Sequence, residues 1–420
     1  MIRFTVWLTL PTGEVLRCGE VISLVAGDPS SGVTGAFRYD SAYLKDPRAF
    51  PLDPVTLPLQ DGEHKTSRPE GIHPVFEDAL PDAWGRKLLA REFHLAWSER
   101  QPAVLLPLLG ARGLGALSFS ESGRMPPARP KTARSTSLDT LVRLAESFDR
   151  GEDLEDSAWL PLFAAGSSPG GGRPKVLVED RAGSWIAKFH RTSDAFNVVR
   201  IEEATACLAR QAGLPVPETR IVRAGTHEAF LIRRFDVTPA GGRRHTLSFQ
   251  TLLGQDGWYR ADYKDLARML ARHSACPKED LPQLYRHMVF NVGIGNTDDH
   301  LKNFALQWHP DAGLRIAPPF DLLPDILGNR EHVLGFGGAG LLPVRADLLR
   351  LAPAFGLQTL EADRILNEVM EALSGWETVF HKTGVPQDDR RRLLPGIASR
   401  SERLRQDQDP QEADDGGPRP

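Results

Sequence analysis

The sequence predicts an α+β chain in three parts: a small mixed module, a β-rich lobe and a larger all-α lobe. Three observations carry that prediction. Apolar runs around short turns occur twice, in VLVED-RAGS-WIAKF and ETRIV-RAGTH-EAFLIRRF, and such pairs read as hairpins. From about residue 260 the apolar spacing becomes helical, in DLARMLARHS, LPQLYRHMVFNVGIG and TLEADRILNEVMEALSGW. Residues 122–138 hold three Pro, several Ser and Thr and little to bury, which marks a linker after the first module.

The elements follow in order. FTVWLTL opens the chain as a strand, Pro81-Asp82 starts a helix through AWGRKLLAREF, and GARGLGALSFS closes the module with small residues and an apolar finish. Residues 1–121 thus make a subdomain of about one domain's size. Beyond the linker, residues 139–150 are helical and GSSPGGGRPK leads into the first hairpin. Residues 199–213 place Ile201, Ala204, Leu208 and Ala212 on one helical face and stop at Gly213. The β-rich lobe spans 139–245 and the helical lobe 246–404. The polar tail 405–420 lacks aromatics and is expected to be disordered. A β-rich lobe before a helical one, with a ligand cleft between them, is the layout of a protein kinase-like fold.

Composition bounds the function. The 420 residues are 41% hydrophobic and 25% charged, enough for about two to three domains with their own cores. Fifty-one basic against 55 acidic side chains leave a net charge of −4, which excludes a general polyanion coat. No helix-turn-helix or aromatic RNA-binding signature is visible. Cys18, Cys207 and Cys276 are odd in number, far apart and without a CxxC pattern, as in a reducing compartment. The opening MIRFTVWLTLP runs straight into Thr12 and Gly13, a strand and turn rather than a signal peptide. No apolar run approaches the roughly 20 residues of a membrane helix, so a cytoplasmic protein without membrane contact is expected.

Phosphoryl transfer needs a cation on the phosphates, oxygen ligands for Mg²⁺, and a carboxylate to orient and deprotonate the acceptor hydroxyl. Lys188 ends the strand WIAKF, and Glu202 lies fourteen residues on in the next helix, near the small Thr205, Ala206 and Ala209. A strand lysine paired with a glutamate on the following helix is the ion pair that holds an ATP-binding lysine, although each alone also fits a solvated surface charge. In GNTDDHLKNFAL, Asp298 and Asn303 stand five apart, so that one can face the acceptor hydroxyl while the other reaches Mg²⁺. Asp321, eighteen residues further on in PPFDLLPD, takes the place of the second metal-binding carboxylate.

A plainer reading makes this an Asp-rich loop capping the next helix. A two-metal hydrolase built on Asp298, Asp299, His300 and Asp321 would want more converging ligands and leaves Lys188 unexplained. His300 reads as a structural hydrogen-bonding residue. The loop GSSPGGGRPK, with Gly170, Gly171 and Gly172, lacks the spacing GxGxxG but precedes the hairpin of Lys188, where backbone N–H groups could cradle phosphates. Ser167 and Ser168 within it are candidate phosphorylation sites, since a phosphoryl group there adds charge where ATP must dock.

On these residues the chain resembles the HipA family of serine/threonine kinases, the toxins of HipA/HipB toxin–antitoxin systems. The resemblance covers about residues 1–400 and rests on SPGGGRPK, WIAKF, IEEATACLARQAGLPVPE, LIRRFD, GNTDDHLKNF and PPFDLLP in register. LPDAWGR and GARGLGAL look like the small domain that precedes the kinase lobes. The resemblance implies an ATP- and Mg²⁺-dependent kinase acting on a seryl or threonyl hydroxyl of a protein. Asp298 is then the base, Asn303 and Asp321 the Mg²⁺ ligands, and Lys188 the ATP-phosphate lysine. Phe235, with Arg234 beside it, matches the segment lining the adenine pocket. Ser168 matches the serine whose autophosphorylation displaces the glycine loop and silences the kinase. A HipB-like DNA-binding antitoxin is implied as partner, with DNA contacted only through it, and an aminoacyl-tRNA synthetase as the kind of substrate.

Three departures qualify the match. Arg233 stands where a Glu is frequent, so adenine contacts there run through the backbone. Ser167 beside Ser168 leaves the autophosphorylated position open. Asp299 puts a second carboxylate next to the base, where it either raises the pKa of Asp298 or faces solvent. A small-molecule kinase and a catalytically inactive kinase-fold binder are the alternatives. The complete set Lys188, Glu202, Asp298, Asn303 and Asp321 speaks against the inactive one.

Overall fold

Alternating burial of Phe4, Val6 and Leu8 along Ile2–Thr9 (β1) sets the first sheet, because successive side chains of a strand face opposite ways. With Val15–Ser23 (β2), Gly35–Tyr39 (β3), Glu63–Thr66 (β4) and Leu117–Ser120 (β5) it forms an antiparallel sheet of order β4-β3-β2-β1-β5. Phe76 packs edge-on to Phe119 and tilted on Phe37, which fastens the short helix Pro74–Glu77 to that sheet. The computed structural model describes residues 1–24, 32–121, 123–126, 137–152, 154–165, 173–191, 193–255, 260–329 and 331–405. Most of the expected linker, the tail beyond 405, and Ser167, Ser168, Gly170, Gly171 and Gly172 lie outside the described residues.

The chain gathers into two compact units. One holds residues 1–199, 217–257 and 302–317, and the other 200–216, 258–301 and 318 onward. In the first unit, Lys175–Asp180 (β6), Gly183–Lys188 (β7), Thr219–Ala224 (β8) and His227–Arg233 (β9) form a sheet of order β6-β7-β9-β8, both hairpins as read from the sequence. Asp180 closes the β6–β7 turn: one carboxylate oxygen accepts the N–H groups of Ala182 (2.8 Å) and Gly183 (3.1 Å) and the indole N–H of Trp185 (2.9 Å).

Trp185, Ala187 and Phe189 share one core with Trp84 and Leu88 of the helix Ala83–Glu92 and with Trp159, Leu162 and Phe163 of the helix Asp156–Ala165. The opening module is bound to later chain by polar ties as well. Asp78 accepts from Ser248 N–H (2.7 Å), Ser248 Oγ (2.8 Å) and Thr251 Oγ1 (2.8 Å), and Phe50 stacks on Trp308 at 4.2 Å.

The all-α expectation for residues 246–404 needs one amendment. Thr246–Ser248 (β10), Ala305–His309 (β11) and Gly313–Ile316 (β12) form a three-stranded antiparallel sheet within the first unit. Strands of three to five residues are too short to show an alternating pattern, and their partner lies some 60 residues away. The second unit is helical. Tyr263–His273 is capped by Asp262, and Pro277–Ile294 runs against Thr359–Ser374 so closely that a side chain at Gly293 would strike Leu373.

Two buried histidines make stability depend on pH. His245 holds the Leu52 carbonyl through Nε2 at 2.7 Å, and burial pushes its pKa down to about 4; burial does the same to His287. The unfolded chain binds these two protons below pH ~6.5, so their stabilisation is complete above that value and is lost as pH falls toward 4. The expected loss is about 3 kcal/mol for each histidine. Urea unfolding from pH 7 to 4.5 should show a steadily falling midpoint, and a flat profile would contradict the burial of these side chains.

Candidate active site

The helix Pro277–Ile294 delivers the chain to Gly295, whose φ of +81° glycine adopts without strain. A Cβ there would sit 2.9 Å from Cδ of Arg400, whose side chain lies across the turn. Asn296 then folds back on the last helical turn. Its N–H bonds the Asn291 carbonyl (2.9 Å) and its Nδ2 the Asn291 Oδ1 (3.1 Å). The loop that follows carries Asp298 and Asp299, and the two point into different surroundings.

Asp299 is fully buried. Its Oδ2 accepts from the Tyr263 hydroxyl (2.9 Å) and from Nδ1 of His332 (3.0 Å), and its Oδ1 from the N–H groups of Val333 (2.8 Å) and Leu334 (3.3 Å). Because the carboxylate is the acceptor, Nδ1 of His332 carries the proton, which leaves Nε2 to accept from Arg400 Nη1 at 3.4 Å. Asn291 Nδ2 donates to the Tyr263 oxygen at 3.2 Å and closes the network onto the helix. The solvent-facing alternative for Asp299 is therefore corrected: four donors on two distant segments required a buried acceptor, and that requirement is non-local. Asp299→Ala takes an acceptor from all four donors, although the Val333 N–H keeps the Thr297 carbonyl at 3.2 Å, and should cost at least about 3 kcal/mol, read from urea unfolding. A loss under 1 kcal/mol would mean that water replaces the carboxylate.

Asp298 is open, with 73% of its side chain accessible. Enough protein surrounds the carboxylate for partial desolvation to raise its pKa, and the charges of Asp321 and Asp299 push the same way. His300 opposes them from 3.9 Å, beyond hydrogen-bond reach and acting through its charge. Asp321 lies in the same unit and has a φ of +58°, the left-handed region that non-glycine residues seldom occupy. Such a conformation costs about 1 kcal/mol or more and persists where the surroundings impose it, often at functional positions.

The first unit supplies a second group. Lys188 ends β7 and is buried rather than solvated, with its ammonium 5.8 Å from the centre of the Phe230 ring. Lys175, which sequence reasoning passed over, stands directly opposite Lys188 in the hairpin and is equally buried. The signal lies in the register: with the turn at Arg181 and Ala182, the two lysines stand equally far on either side and must meet across it. Asn303 is buried at the end of the turn Leu301–Asn303, just before β11.

Arg234 is committed elsewhere. Its guanidinium grips Asp236 through Nε (3.0 Å) and Nη2 (2.6 Å) and also donates to the Gly113 carbonyl (3.2 Å). Asp236 in turn accepts from Gly115 N–H (2.8 Å), so this side chain clamps GARGLG to RRFD. The Phe235 carbonyl accepts from Arg244 (3.1 Å) and Gln307 (3.3 Å).

Lys188, Arg234, Phe235 and Asn303 thus belong to the first unit, and Glu202, Asp298 and Asp321 to the second. Glu202 is buried on the helix Val198–Gln211. Asp321 and Asn303 offer oxygen donors, the ligand type Mg²⁺ takes when water and phosphate oxygens fill its other positions.

Comparison with known proteins identifies the family. The model of the HipA N-terminal domain matches residues 20–120, and that of the HipA-like C-terminal domain matches residues 167–376. The chain belongs to the HipA family. Two proteins of Sinorhizobium fredii (strain NBRC 101917 / NGR234) are similar to it. One, named "Putative kinase Y4dM", is 29% identical over 348 residues, 74% of this chain and 79% of that protein. The other, "Putative kinase Y4mE", is 28% identical over 381 residues, 83% of this chain and 80% of that protein. HipA of Shewanella oneidensis MR-1, solved in complex with HipB and operator DNA, aligns with a TM-score of 0.69. The alignment covers 95% of this chain and 97% of that one at 19% identity, a likeness of fold. The fold is the α+β, kinase-like one of HipA proteins, and among the described residues no helix is long and apolar enough to cross a membrane.

Proposed function

We propose that this HipA-family chain is an ATP- and Mg²⁺-dependent serine/threonine protein kinase, the toxin of a pair with a HipB-like DNA-binding antitoxin. The observation that carries the reading is Asp298, an accessible carboxylate of raised pKa beside Asp321, on a loop that Asp299 anchors from behind. An acceptor hydroxyl docked on Asp298 gives its proton to the carboxylate as its oxygen bonds the terminal phosphorus of ATP. The bond from that phosphorus to the bridging oxygen breaks, and ADP leaves. Mg²⁺ held by Asp321 and Asn303 would neutralise charge on the phosphate oxygens.

In this reading Lys188 and Glu202 serve the ATP phosphates, which Gly170, Gly171 and Gly172 would cradle with backbone N–H groups. The backbone at Arg234 and Phe235 lines the adenine, a role the Arg234–Asp236 clamp leaves to main-chain atoms. Autophosphorylation falls on Ser168 or its neighbour Ser167. The substrate is a protein of the translation machinery such as an aminoacyl-tRNA synthetase. DNA is reached only through the antitoxin; HipA of Shewanella oneidensis MR-1 is itself solved in complex with HipB and operator DNA.

Intact-mass and peptide mapping after incubation with Mg·ATP tests this reading. Wild type should gain a phosphoryl group at Ser167 or Ser168, and Asp298→Asn should lose about 10²–10⁴ in rate while still binding ATP. No mass gain by unmodified wild type that binds ATP would favour a small-molecule kinase or an inactive binder. Asp321→Asn keeps a residue that tolerates the left-handed backbone, so its Tm should stay within about 2 °C of wild type. Its ATP affinity should fall at least about tenfold in Mg²⁺ and not at all in EDTA. Equal affinity in Mg²⁺ would remove Asp321 from the metal site. Because the pKa of Asp298 is raised, its proton-accepting form is lost as pH falls through that raised value. Turnover should therefore decline on the acid side already above the ordinary aspartate range near 3.8.

A further inference from the structure

Lys175 opens β6 directly across from Lys188, the last residue of β7. Directly opposed residues of an antiparallel pair send their side chains to the same face, with Cβ atoms about 5 Å apart. Both lysines are buried, at 2% and 8% exposure. Two buried ammonium groups on one face of a sheet repel each other, and each carries a desolvation cost that an opposite charge must offset. For Lys175 that charge comes from outside the sheet: Asp82 Oδ2 lies 2.8 Å from its Nζ.

Asp82 is also the N-cap of the helix Ala83–Glu92, its Oδ1 accepting the Gly85 N–H at 2.8 Å. The same helix sends Trp84 and Leu88 into the core that holds Trp185, Ala187 and Phe189, the residues on either side of Lys188. Cap, core and ion pair converge on the end of one strand.

We propose that Asp82 is a positioning residue for nucleotide binding: by neutralising and holding Lys175, it sets the place of Lys188 for the ATP phosphates. The opening module then supports the nucleotide strand directly and is not a mere appendage. This inference rests on the kinase reading above, in which Lys188 meets those phosphates.

Asp82→Asn keeps a side chain that can cap the helix while deleting the charge. In the full chain, its dissociation constant for ATP should rise about tenfold, the scale of a partly buried charge pair losing one partner. Its affinity for adenosine, which has no phosphates, should stay within about twofold of wild type. The double variant Asp82→Asn/Lys175→Met removes both members of the pair and should bring ATP affinity back to within about threefold. Leu89→Ala, which loosens the same helix without touching charge or the core around β7, should destabilise the chain and leave ATP affinity unchanged.

Wild-type ATP affinity in Asp82→Asn overturns the proposal. So does a double variant as weak as the single one, or an equal loss in Leu89→Ala. Should Asp82→Asn fail to fold, Lys175→Met replaces it: the Asp82 carboxylate then faces Lys188 and weakens ATP binding, and the double variant must reverse that. Wild type that binds no ATP sinks the kinase reading itself, whereas ATP binding indifferent to Asp82 sinks only this inference.

Discussion

The carboxylate of Asp299 is the constraint on which the candidate active site depends. One buried side chain accepts from Tyr263 on the helix Tyr263–His273 and from His332, Val333 and Leu334 on a segment more than thirty residues further on. An acceptor with four donors has little freedom to move, since each lost bond strands a buried polar group. The neighbouring residue inherits that rigidity. Asp298 is exposed where Asp299 is not: the backbone between them turns one carboxylate inward as an anchor and the other outward. The raised pKa of Asp298 follows first from partial desolvation, to which the nearby carboxylates of Asp321 and Asp299 add and which His300 tempers.

The first unit solves a different problem with the same means. Its strand β7 is held by apolar packing on Trp84, Leu88 and Trp159, and charged residues near it are tied to carboxylates. Lys175 meets Asp82, and Arg234 and Arg243 meet Asp236. In both cases residues before position 121 supply a partner: Asp82 itself, and the backbone of Gly113 and Gly115 around the Arg234–Asp236 pair. A buried ion pair of this kind adds little net stability relative to an apolar one, but breaking it is costly, so it specifies an arrangement more than it strengthens it.

Much of this was legible in the chain itself. The two hairpins, the helix ending near Gly213, the apolar helix before Gly295 and the spacing of Asp298, Asn303 and Asp321 are local patterns, and local patterns survive folding because turns, caps and periodicity act over a few residues. The short sheet of β10, β11 and β12 was not legible, because three-residue Thr246–Ser248 finds its partner about 60 residues later. That the Arg234 side chain is a clamp was not legible either, since its partners Asp236 and Gly113 include one 121 residues distant.

Residue type and spacing alone thus determined the α+β class, the order of the elements and the candidate groups for phosphoryl transfer. Tertiary structure alone decided which of two adjacent aspartates is the anchor and which the open carboxylate. It also decided that Lys188 is buried beside a second lysine, and that an aspartate of the opening module compensates that second charge. The physical reason is the same throughout. A side chain's chemistry is written in its identity, whereas its burial, its pKa and its partners are set by whatever distant segments close around it.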